Sequence, residues 1–238
     1  MSDLFLRAAC MDWDGIDRDS YLWTIGAIAG VDRVDFDSPV TCFVGENGSG
    51  KSTLLEAMAV CAGFNPEGGT KNYSFSTFDS HSELCGSMRL VKGVKKPRWG
   101  YFLRAESFYN VATAEEEYSR MGGTPQHLHE KSHGESFLAT AQSNFRPGGL
   151  YFLDEPEAAL SPQRQLTLLR EIYTCAQAGA QFFMVTHSPI LLGLPGAAIL
   201  SFDDGPLHPI AYEETDSYQI TSLFLSDRKR ILRDLLAE

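Results

Sequence analysis

A glycine-rich turn between an apolar run and a helical pattern constrains the fold of this chain more than any other feature. The apolar run covers residues 40–44, and the turn that follows it at residues 45–53 reads GENGSGKST. Glycines let the backbone curl so that successive N–H groups converge on one point, and a following helix directs the positive end of its dipole to that point. The segment therefore predicts a strand, a phosphate-binding loop and a helix, in that order.

The residues of this loop have distinct predicted roles. Lys51 is expected to reach the β- and γ-phosphates of a nucleoside triphosphate, and Ser52 to offer its hydroxyl to Mg²⁺. The predicted nucleotide-binding residues of the loop are Asn47, Gly48, Ser49, Gly50, Lys51, Ser52 and Thr53. A ligand-free turn rich in glycine and serine is the weaker interpretation, because the strand-to-helix context also matches.

Length and composition restrict the class of protein. The chain has 238 residues and a net charge of −11, which suit a single α/β domain and disfavour a protein that coats nucleic acid over its whole surface. The five scattered cysteines have no C-x-x-C spacing, as is typical of a reducing compartment. No apolar run has the pattern of a signal peptide or the length of a bilayer span. We therefore expect a cytoplasmic protein.

Short apolar runs alternate with helical patterns, which is typical of a largely parallel α/β sheet. Helices are expected over residues 54–62 and 104–121, from about residue 135, over residues 161–178, and after a cap at Ser226 or Asp227. Strands are expected at residues 40–44, 100–103, 150–153 and 181–186. We predict one domain over residues 1–238, with an accessory lobe at about residues 71–145.

A second chemical signal follows the apolar strand at residues 150–153. This strand runs directly into Asp154 and Glu155. Ligands bind at the carboxyl ends of strands in open α/β sheets. Asp154 is placed to hold Mg²⁺, directly or through water, and Glu155 to polarise the water that attacks the γ-phosphate. Acids are also common at ordinary strand ends, so the assignment depends on the phosphate loop earlier in the chain.

Three further runs complete an ordered set of motifs. Residues 154–162, DEPEAALSP, resemble the Walker B motif and D-loop of ABC-type ATPases, and residues 186–189, THSP, resemble their switch-histidine loop. Residues 132–136, SHGES, resemble the serine-glycine motif that defines that family. Nearly the whole chain is similar to small stand-alone bacterial ATPases of the predicted AAA or ABC-like kind. The motifs of these proteins resemble those of SMC and RecF-type head domains more than those of transporters.

The resemblance implies an α/β P-loop NTPase fold of ABC-ATPase type, with a mixed, mostly parallel sheet flanked by helices and a small helical lobe. It implies an Mg-dependent ATPase with ATP and Mg²⁺ as cofactors. It also implies a head-to-tail dimer with two ATP molecules between the chains, in which Ser132, Gly134 and Glu135 of one chain complete the site of the other. His187 would contact the γ-phosphate and hold the catalytic Glu155 and its water in place.

Two positions depart from the family pattern or are left open by it. ABC proteins usually have a glutamine after the strand that leads into the helical lobe, where this chain continues Ala105-Glu106-Ser107. Glu106 is the candidate metal ligand in its place. Tyr21 or Trp23 could stack on adenine, and either could equally be a core or surface aromatic. The identity of the base therefore depends on the resemblance alone.

Residues 87–104 form a local excess of positive charge in an acidic chain. The stretch contains no acid and includes three aromatic side chains. Its candidate contacts with a partner are Arg89, Lys92, Lys95, Lys96 and Arg98. Basic residues beside aromatics suit a nucleic-acid or protein partner, and a solvated hairpin is the simpler interpretation.

Three histidines, His127, His129 and His133, precede Gly134. His129 and His133 have the spacing that binds zinc on a helix. No cysteine or carboxylate is well placed to complete such a site, and the preceding GGTP run predicts a loop. A zinc site is therefore the weaker interpretation.

Three functions remain. The first is an ATP-dependent switch, in which ATP clamps two chains together, hydrolysis releases them, and the cycle acts on a nucleic acid or protein. The second is the energy-coupling subunit of a membrane transporter, which the missing glutamine and His133 within the serine-glycine motif disfavour. The third is a non-catalytic scaffold, which Asp154, Glu155 and His187 disfavour. The segment between Thr53 and Ser132 is too short, and lacks the heptads, for the long coiled coil of SMC-type proteins.

Overall fold

The computed structural model describes residues 4–70, 83–104 and 133–237, with side chains from residue 136 onward in the last range. Within these ranges the chain forms two sheets and six α-helices. The strands are β1 Leu6–Met11, β2 Arg33–Asp35, β3 Val40–Val44, β4 Met88–Lys92, β5 Trp99–Arg104, β6 Gly149–Asp154, β7 Gln181–Val185, β8 Ala198–Ser201 and β9 His208–Pro209. The helices are α1 Lys51–Cys61, α2 His133–Asn144, α3 Pro162–Gln177, α4 Pro189–Leu192, α5 Asp216–Ser226 and α6 Arg228–Leu236.

The larger sheet has the strand order β5-β6-β7-β3-β8-β9. Neighbouring strands from β5 to β8 are parallel, and β9 is antiparallel to β8. Every residue of β3, β6 and β7 is buried. Such continuous burial arises when helices cover both faces of a parallel sheet, which also explains why these strands are nearly continuous apolar runs. The prediction of a mixed, mostly parallel sheet flanked by helices is confirmed.

Two hydrophobic clusters lie on opposite faces of this sheet, because successive side chains of a strand alternate between faces. One cluster packs α1 against Phe43, Phe152 and Phe183. The other packs α2 and α3 against the next residues along the same strands, among them Tyr151 and Phe182. The phosphate-loop helix α1 is therefore fixed on one face, while the carboxyl ends of the strands stay available at the edge.

The smaller sheet has the order β2-β1-β4 and is antiparallel. The buried side chain of Gln181 connects it to the larger sheet. The Gln181 Oε1 accepts hydrogen bonds from the amides of Phe5 and Leu6 at 2.9 Å each, and its Nε2 donates to the Leu6 carbonyl at 2.8 Å. Because one amide side chain satisfies three backbone groups, the start of β1 is held against the start of β7.

Two strands of the sheets lie within residues 71–145, the range of the predicted accessory lobe. β4 and β5 lie within residues 71–145, yet β4 pairs with β1 and β5 pairs with β6 of the larger sheet. Tyr101, Phe102 and Leu103 are buried, as a strand covered on both faces requires. The accessory lobe at about residues 71–145 stays a prediction, because residues 71–82 and 105–132 lie outside the described ranges.

Helix boundaries also differ from the sequence-based expectations. Arg104 ends β5 and does not begin a helix, and the rest of the helix predicted at residues 104–121 lies outside the described residues. The last helix is capped by Asp227, whose side chain accepts from the amide of Arg230. Ser226 is instead the last residue of α5, a helix that was not predicted.

Candidate functional site

The phosphate-binding loop connects β3 to α1, as predicted. Gly50 stands at the N-terminal cap of α1 with a φ of 97°, a left-handed conformation that favours glycine. A β-carbon at Gly50 would also collide with the Cγ2 of Ile25. Gly48 has a φ of 82°, but a β-carbon there would meet open space. The loop backbone is therefore packed against Ile25 at Gly50, whereas at Gly48 there is room for a side chain.

Lys51 lies in the first turn of α1, and its side chain turns back under the loop. Its Nζ donates to the carbonyls of Gly45 at 2.7 Å and Glu46 at 2.6 Å. The residue is 4% exposed, and this burial lowers the pKa of Lys51 from its ordinary value. The carboxylate of Glu155 opposes part of the shift. The ammonium is therefore held beneath the loop, close enough to contact a ligand that the loop binds.

Ser52 and Asp154 are brought together from distant parts of the sequence. The Ser52 Oγ donates to the Asp154 Oδ1 at 2.8 Å, across 102 positions of sequence. Asp154 ends β6 and is 7% exposed. A hydroxyl and a carboxylate at this separation are oxygen donors of the kind that Mg²⁺ prefers, so the residues present fit that ion.

Arg104 approaches Asp154 from the neighbouring strand. The two residues are opposite each other in the register of β5 and β6, and the Arg104 Nε lies 3.6 Å from the Asp154 Oδ2. The Arg104 Nη1 donates to the Glu56 Oε2 at 2.7 Å and to the Pro66 carbonyl at 3.0 Å. Arg104 and Glu56 were not predicted as site residues. The sequence signal for Arg104 was a basic residue at the end of the strand that pairs with β6.

Glu155 and His187 lie beyond the ends of β6 and β7. Glu155 has a φ of 48° and a ψ of 53°, a left-handed conformation that is costly for a residue other than glycine and tends to occur at functional sites. Its amide donates to the Val185 carbonyl at 3.0 Å. The His187 Nε2 lies 4.0 Å from the Glu155 Oε1, and the two side chains are 38% and 45% exposed.

Glu157 anchors the segment that carries His187. It lies in the short 3-10 turn Pro156–Ala159, and its Oε1 accepts from the His187 amide at 2.5 Å. Ser188 is fixed as well, since its hydroxyl donates to the Gln165 Oε1 at 2.6 Å and caps the short helix α4. Glu157 was not singled out from the sequence, because its partner is the backbone of a residue 30 positions away.

The two candidate adenine-stacking aromatics share the 3-10 turn Tyr21–Thr24. Tyr21 is 53% exposed and Trp23 is 38% exposed. The Trp23 ring lies against that of Trp13, with the ring centroids 4.8 Å apart. The turn leads directly into Ile25, the residue that limits the space at Gly50. A stacking role for Tyr21 or Trp23 stays a prediction.

Several predicted site residues fall outside the described ranges. These are Ser132 and Glu106, together with His127 and His129 of the zinc interpretation. Gly134 and Glu135 lie in the first turn of α2, where His133 is the first residue, but their side chains are not described. The second anion site and the metal-binding role of Glu106 therefore stay predictions. Across residues 4–70, 83–104 and 133–237, no group of three or more His, Cys, Asp or Glu side chains is arranged to hold a metal ion.

A cleft of about 370 Å³ lies beside the loop, between the ends of β3 and β8 and helix α5. Gly45, Glu46 and His187 line one side of it. Asp203 lines another side, and its Oδ1 accepts from the Glu46 amide at 2.9 Å. The start of the phosphate-binding loop is thus held in place by the segment that follows β8, a contact with no local sequence pattern.

The fold and this arrangement of residues define a P-loop NTPase. A family model described as "AAA domain" matches residues 24–114, and one described as "AAA domain, putative AbiEii toxin, Type IV TA system" matches residues 136–193. Both family models describe AAA-type domains, and they match consecutive parts of the chain. The two matched segments contain the phosphate-binding loop and the Asp154–His187 region respectively.

Several solved structures are similar in overall architecture. An SMC head domain from Thermotoga maritima is 16% identical with a TM-score of 0.47, over 87% of this chain and 100% of that one. A putative metal-chelate type ABC transporter is also 16% identical with a TM-score of 0.47, over 94% of this chain and 89% of that one. An RNase-L inhibitor is 15% identical with a TM-score of 0.44, over 82% and 38% of the two chains. These values do not specify an activity or a partner.

A comparison with curated proteins gave no match. Among the helices of the described residues, none combines the length and the apolar character needed to cross a membrane.

The close approach at Gly50 gives a direct test of the loop geometry. Gly50→Ala and Gly48→Ala both place a side chain at a left-handed position, but only the first also meets Ile25. We expect Gly50→Ala to lower the free energy of unfolding by about 1–3 kcal/mol more than Gly48→Ala. Urea denaturation of both nucleotide-free variants measures the difference, and equal losses would contradict the geometry described for Gly50.

Proposed function

We propose that this chain is an Mg²⁺-dependent ATPase whose hydrolytic residues are those at the carboxyl ends of β3, β6 and β7. The observation that carries the proposal is the convergence of two pairs at one edge of the sheet. The Ser52 hydroxyl bonds to Asp154 at 2.8 Å, and the His187 ring lies 4.0 Å from Glu155. Phosphoryl transfer requires mainly positioning and charge stabilisation, and these groups offer both.

The proposed roles of the residues follow from their contacts. The Lys51 ammonium, now bonded to two loop carbonyls, would exchange them for phosphate oxygens. Ser52 and Asp154 would hold the Mg²⁺, which when bound neutralises charge on the phosphates. Glu155 would orient the attacking water and take its proton. His187, whose backbone is held by Glu157, would contact the γ-phosphate.

We further propose that a second copy of the chain covers the nucleotide. The Glu155 and His187 side chains are 45% and 38% exposed, so in a single chain water reaches part of each, although the His187 Nε2 itself is buried. Covering them would exclude water, and charge interactions in the site would strengthen as a result. The proposed cover is the segment with Ser132, Gly134 and Glu135 of the second chain, in a head-to-tail dimer.

The dimer is tested with two substitutions that separate binding from hydrolysis. Glu155→Gln should bind ATP without hydrolysing it, and should therefore form a dimer in the presence of Mg-ATP. Lys51→Ala should stay a monomer, because it loses the ammonium that holds the phosphates. Size-exclusion chromatography with and without Mg-ATP measures both results.

Asp32→Asn provides the control, because Asp32 is an exposed acid beside the smaller sheet and its loss changes the net charge equally. It should behave like the unmodified chain. A Glu155→Gln variant that runs as a monomer at saturating Mg-ATP would overturn the proposal that two chains enclose the nucleotide.

We propose that hydrolysis acts on a nucleic acid or protein partner through the basic stretch. Arg89, Lys92, Lys95, Lys96 and Arg98 all have exposed side chains. Trp99 is 47% exposed, and the Arg146 guanidinium lies 4.8 Å from the centroid of its ring. Exposed basic groups beside an exposed aromatic suit a nucleic acid, through phosphate contacts and base stacking.

Trp99 and Arg146 also belong to a cleft at the amino ends of β5 and β6. Asp154 lies at the carboxyl end of β6, so this cleft and the ATP site are at opposite edges of the sheet. A partner at the cleft would leave the nucleotide accessible. The partner and the nucleotide could therefore be bound at the same time, as a coupled cycle requires.

The basic stretch is tested by steady-state ATPase assays with single-stranded DNA, duplex DNA and RNA. Lys95→Gln, Lys96→Gln and Arg98→Gln combined should abolish any stimulation, since nucleic-acid affinity depends on neutralised phosphates. Arg228→Gln, Lys229→Gln and Arg230→Gln on α6 form the matched control with the same change in net charge. Equal stimulation of both triple variants would remove residues 95–98 from the proposal.

The proposed location is the cytoplasm. All five cysteines are free, which suits a reducing compartment. The energy-coupling subunit of a membrane transporter stays the alternative function, because it would use the same ATPase residues. A permease gene next to this one would favour that alternative.

A further inference from the structure

The two carboxylate oxygens of Asp154 are directed at different partners. The Oδ1 accepts from Ser52 at 2.8 Å, whereas the Oδ2 lies 3.6 Å from the Arg104 Nε. Arg104 in turn donates from Nη1 to the Glu56 Oε2 at 2.7 Å. Glu56 lies four residues after Ser52 on α1, so both point from the same face of that helix. The four side chains link α1, β5 and β6 into one network.

The Arg104 guanidinium is held on several sides. Besides Glu56, its Nη1 bonds to the Pro66 carbonyl at 3.0 Å, and its central carbon lies 5.7 Å from the centroid of the Phe102 ring. The side chains of Arg104, Glu56 and Asp154 are 17%, 14% and 10% exposed. Because the groups are largely buried, solvent and salt screen their charges only weakly.

This network has consequences for a cation bound by Ser52 and Asp154. A fixed positive charge beside the Asp154 Oδ2 orients the carboxylate, with Oδ1 towards Ser52. The same charge repels a divalent cation at that carboxylate. Glu56 offsets the repulsion, because its negative charge lies 2.7 Å from the guanidinium.

We propose that Glu56 and Arg104 are positioning residues that set the affinity of the site for Mg²⁺, with Arg104 lowering it and Glu56 raising it. This inference rests on the proposed Mg-ATP site at Ser52 and Asp154. It assigns to the pair a function beyond holding α1 against β5, because the two residues act on the cation with opposite sign.

The opposite sign separates this proposal from a structural ion pair. If the pair only stabilised the fold, removing either charge would break the same bond and disturb the site in the same direction. Under the proposal, Arg104→Gln strengthens cation binding, since the repelling charge is gone. Glu56→Gln weakens it, since the Arg104 charge near the cation is then offset by one carboxylate fewer.

The experiment measures Mn²⁺ as a probe for Mg²⁺, by electron paramagnetic resonance of free Mn²⁺ in titrations of the full chain with a non-hydrolysable ATP analogue. We expect the Mn²⁺ dissociation constant to fall about threefold or more in Arg104→Gln and to rise about threefold or more in Glu56→Gln. In the double variant it should return close to the value of the unmodified chain. Shifts in one direction for both single variants, or no shift, would overturn the proposal.

The exposed ion pair between Arg170 and Glu171 on α3 provides matched controls. Arg170→Gln and Glu171→Gln remove the same charges away from the site and should leave the Mn²⁺ dissociation constant unchanged. Arg104→Lys retains the positive charge and should bind Mn²⁺ like the unmodified chain, while a tightening as large as that of Arg104→Gln would overturn the charge argument.

Two failures remain distinguishable. Circular dichroism shows whether Arg104→Gln folds. If it does not, Glu56→Gln alone tests the inference, and unchanged or tighter Mn²⁺ binding by Glu56→Gln overturns it. If the unmodified chain shows no nucleotide-dependent Mn²⁺ binding, the proposed function fails and the inference fails with it. Normal binding by the unmodified chain with shifts of the wrong sign overturns the inference alone.

Discussion

The hydrogen bond between Ser52 and Asp154 is the contact on which the rest of the site depends. It joins the first turn of α1 to the last residue of β6, and it exists because β3, β7 and β6 are parallel and in register. A slip of one residue in β6 would turn Asp154 to the opposite face of the sheet. Burial of these strands on both faces fixes their register. It therefore places Asp154 beside Ser52 as well as stabilising the fold.

Local charge balance is the second constraint on the site. The chain carries a net charge of −11, yet the two largely buried cations of the site, Lys51 and Arg104, each contact carbonyl or carboxylate oxygens. Lys51 is bonded to loop carbonyls, and Arg104 lies between Glu56 and Asp154. Buried charges persist only when they are compensated in this way. The site is thus preorganised, and Glu155 and His187 remain the exposed members that a second chain would cover.

Much of this site could be predicted from local sequence, because its chemistry is concentrated in short runs. The turn before Lys51 and the acids after the 150–153 strand carry their own signals. The place of β5 in the larger sheet and the contacts of Arg104 and Glu157 could not be predicted, since they depend on pairing between segments that are distant in the sequence. A short apolar strand has the same sequence pattern whether it joins the larger sheet or a separate lobe. Only its pairing with β6 in the structure distinguishes the two. Helix α5 was not predicted. Its apolar residues do not mark a buried helix face, since Ile220 and Leu225 are exposed in the structure.

In the proposed mechanism Asp154 acts on ATP through the metal and not through the fold. The most direct measurement compares phosphate release from Mg-ATP by the unmodified chain and by Asp154→Asn, with binding of a fluorescent ATP analogue in the absence of metal measured alongside. Hydrolysis should fall by about a hundredfold or more in Asp154→Asn, while metal-free binding should change by less than about threefold. Phosphate release by Asp154→Asn at a rate close to that of the unmodified chain would contradict this mechanism.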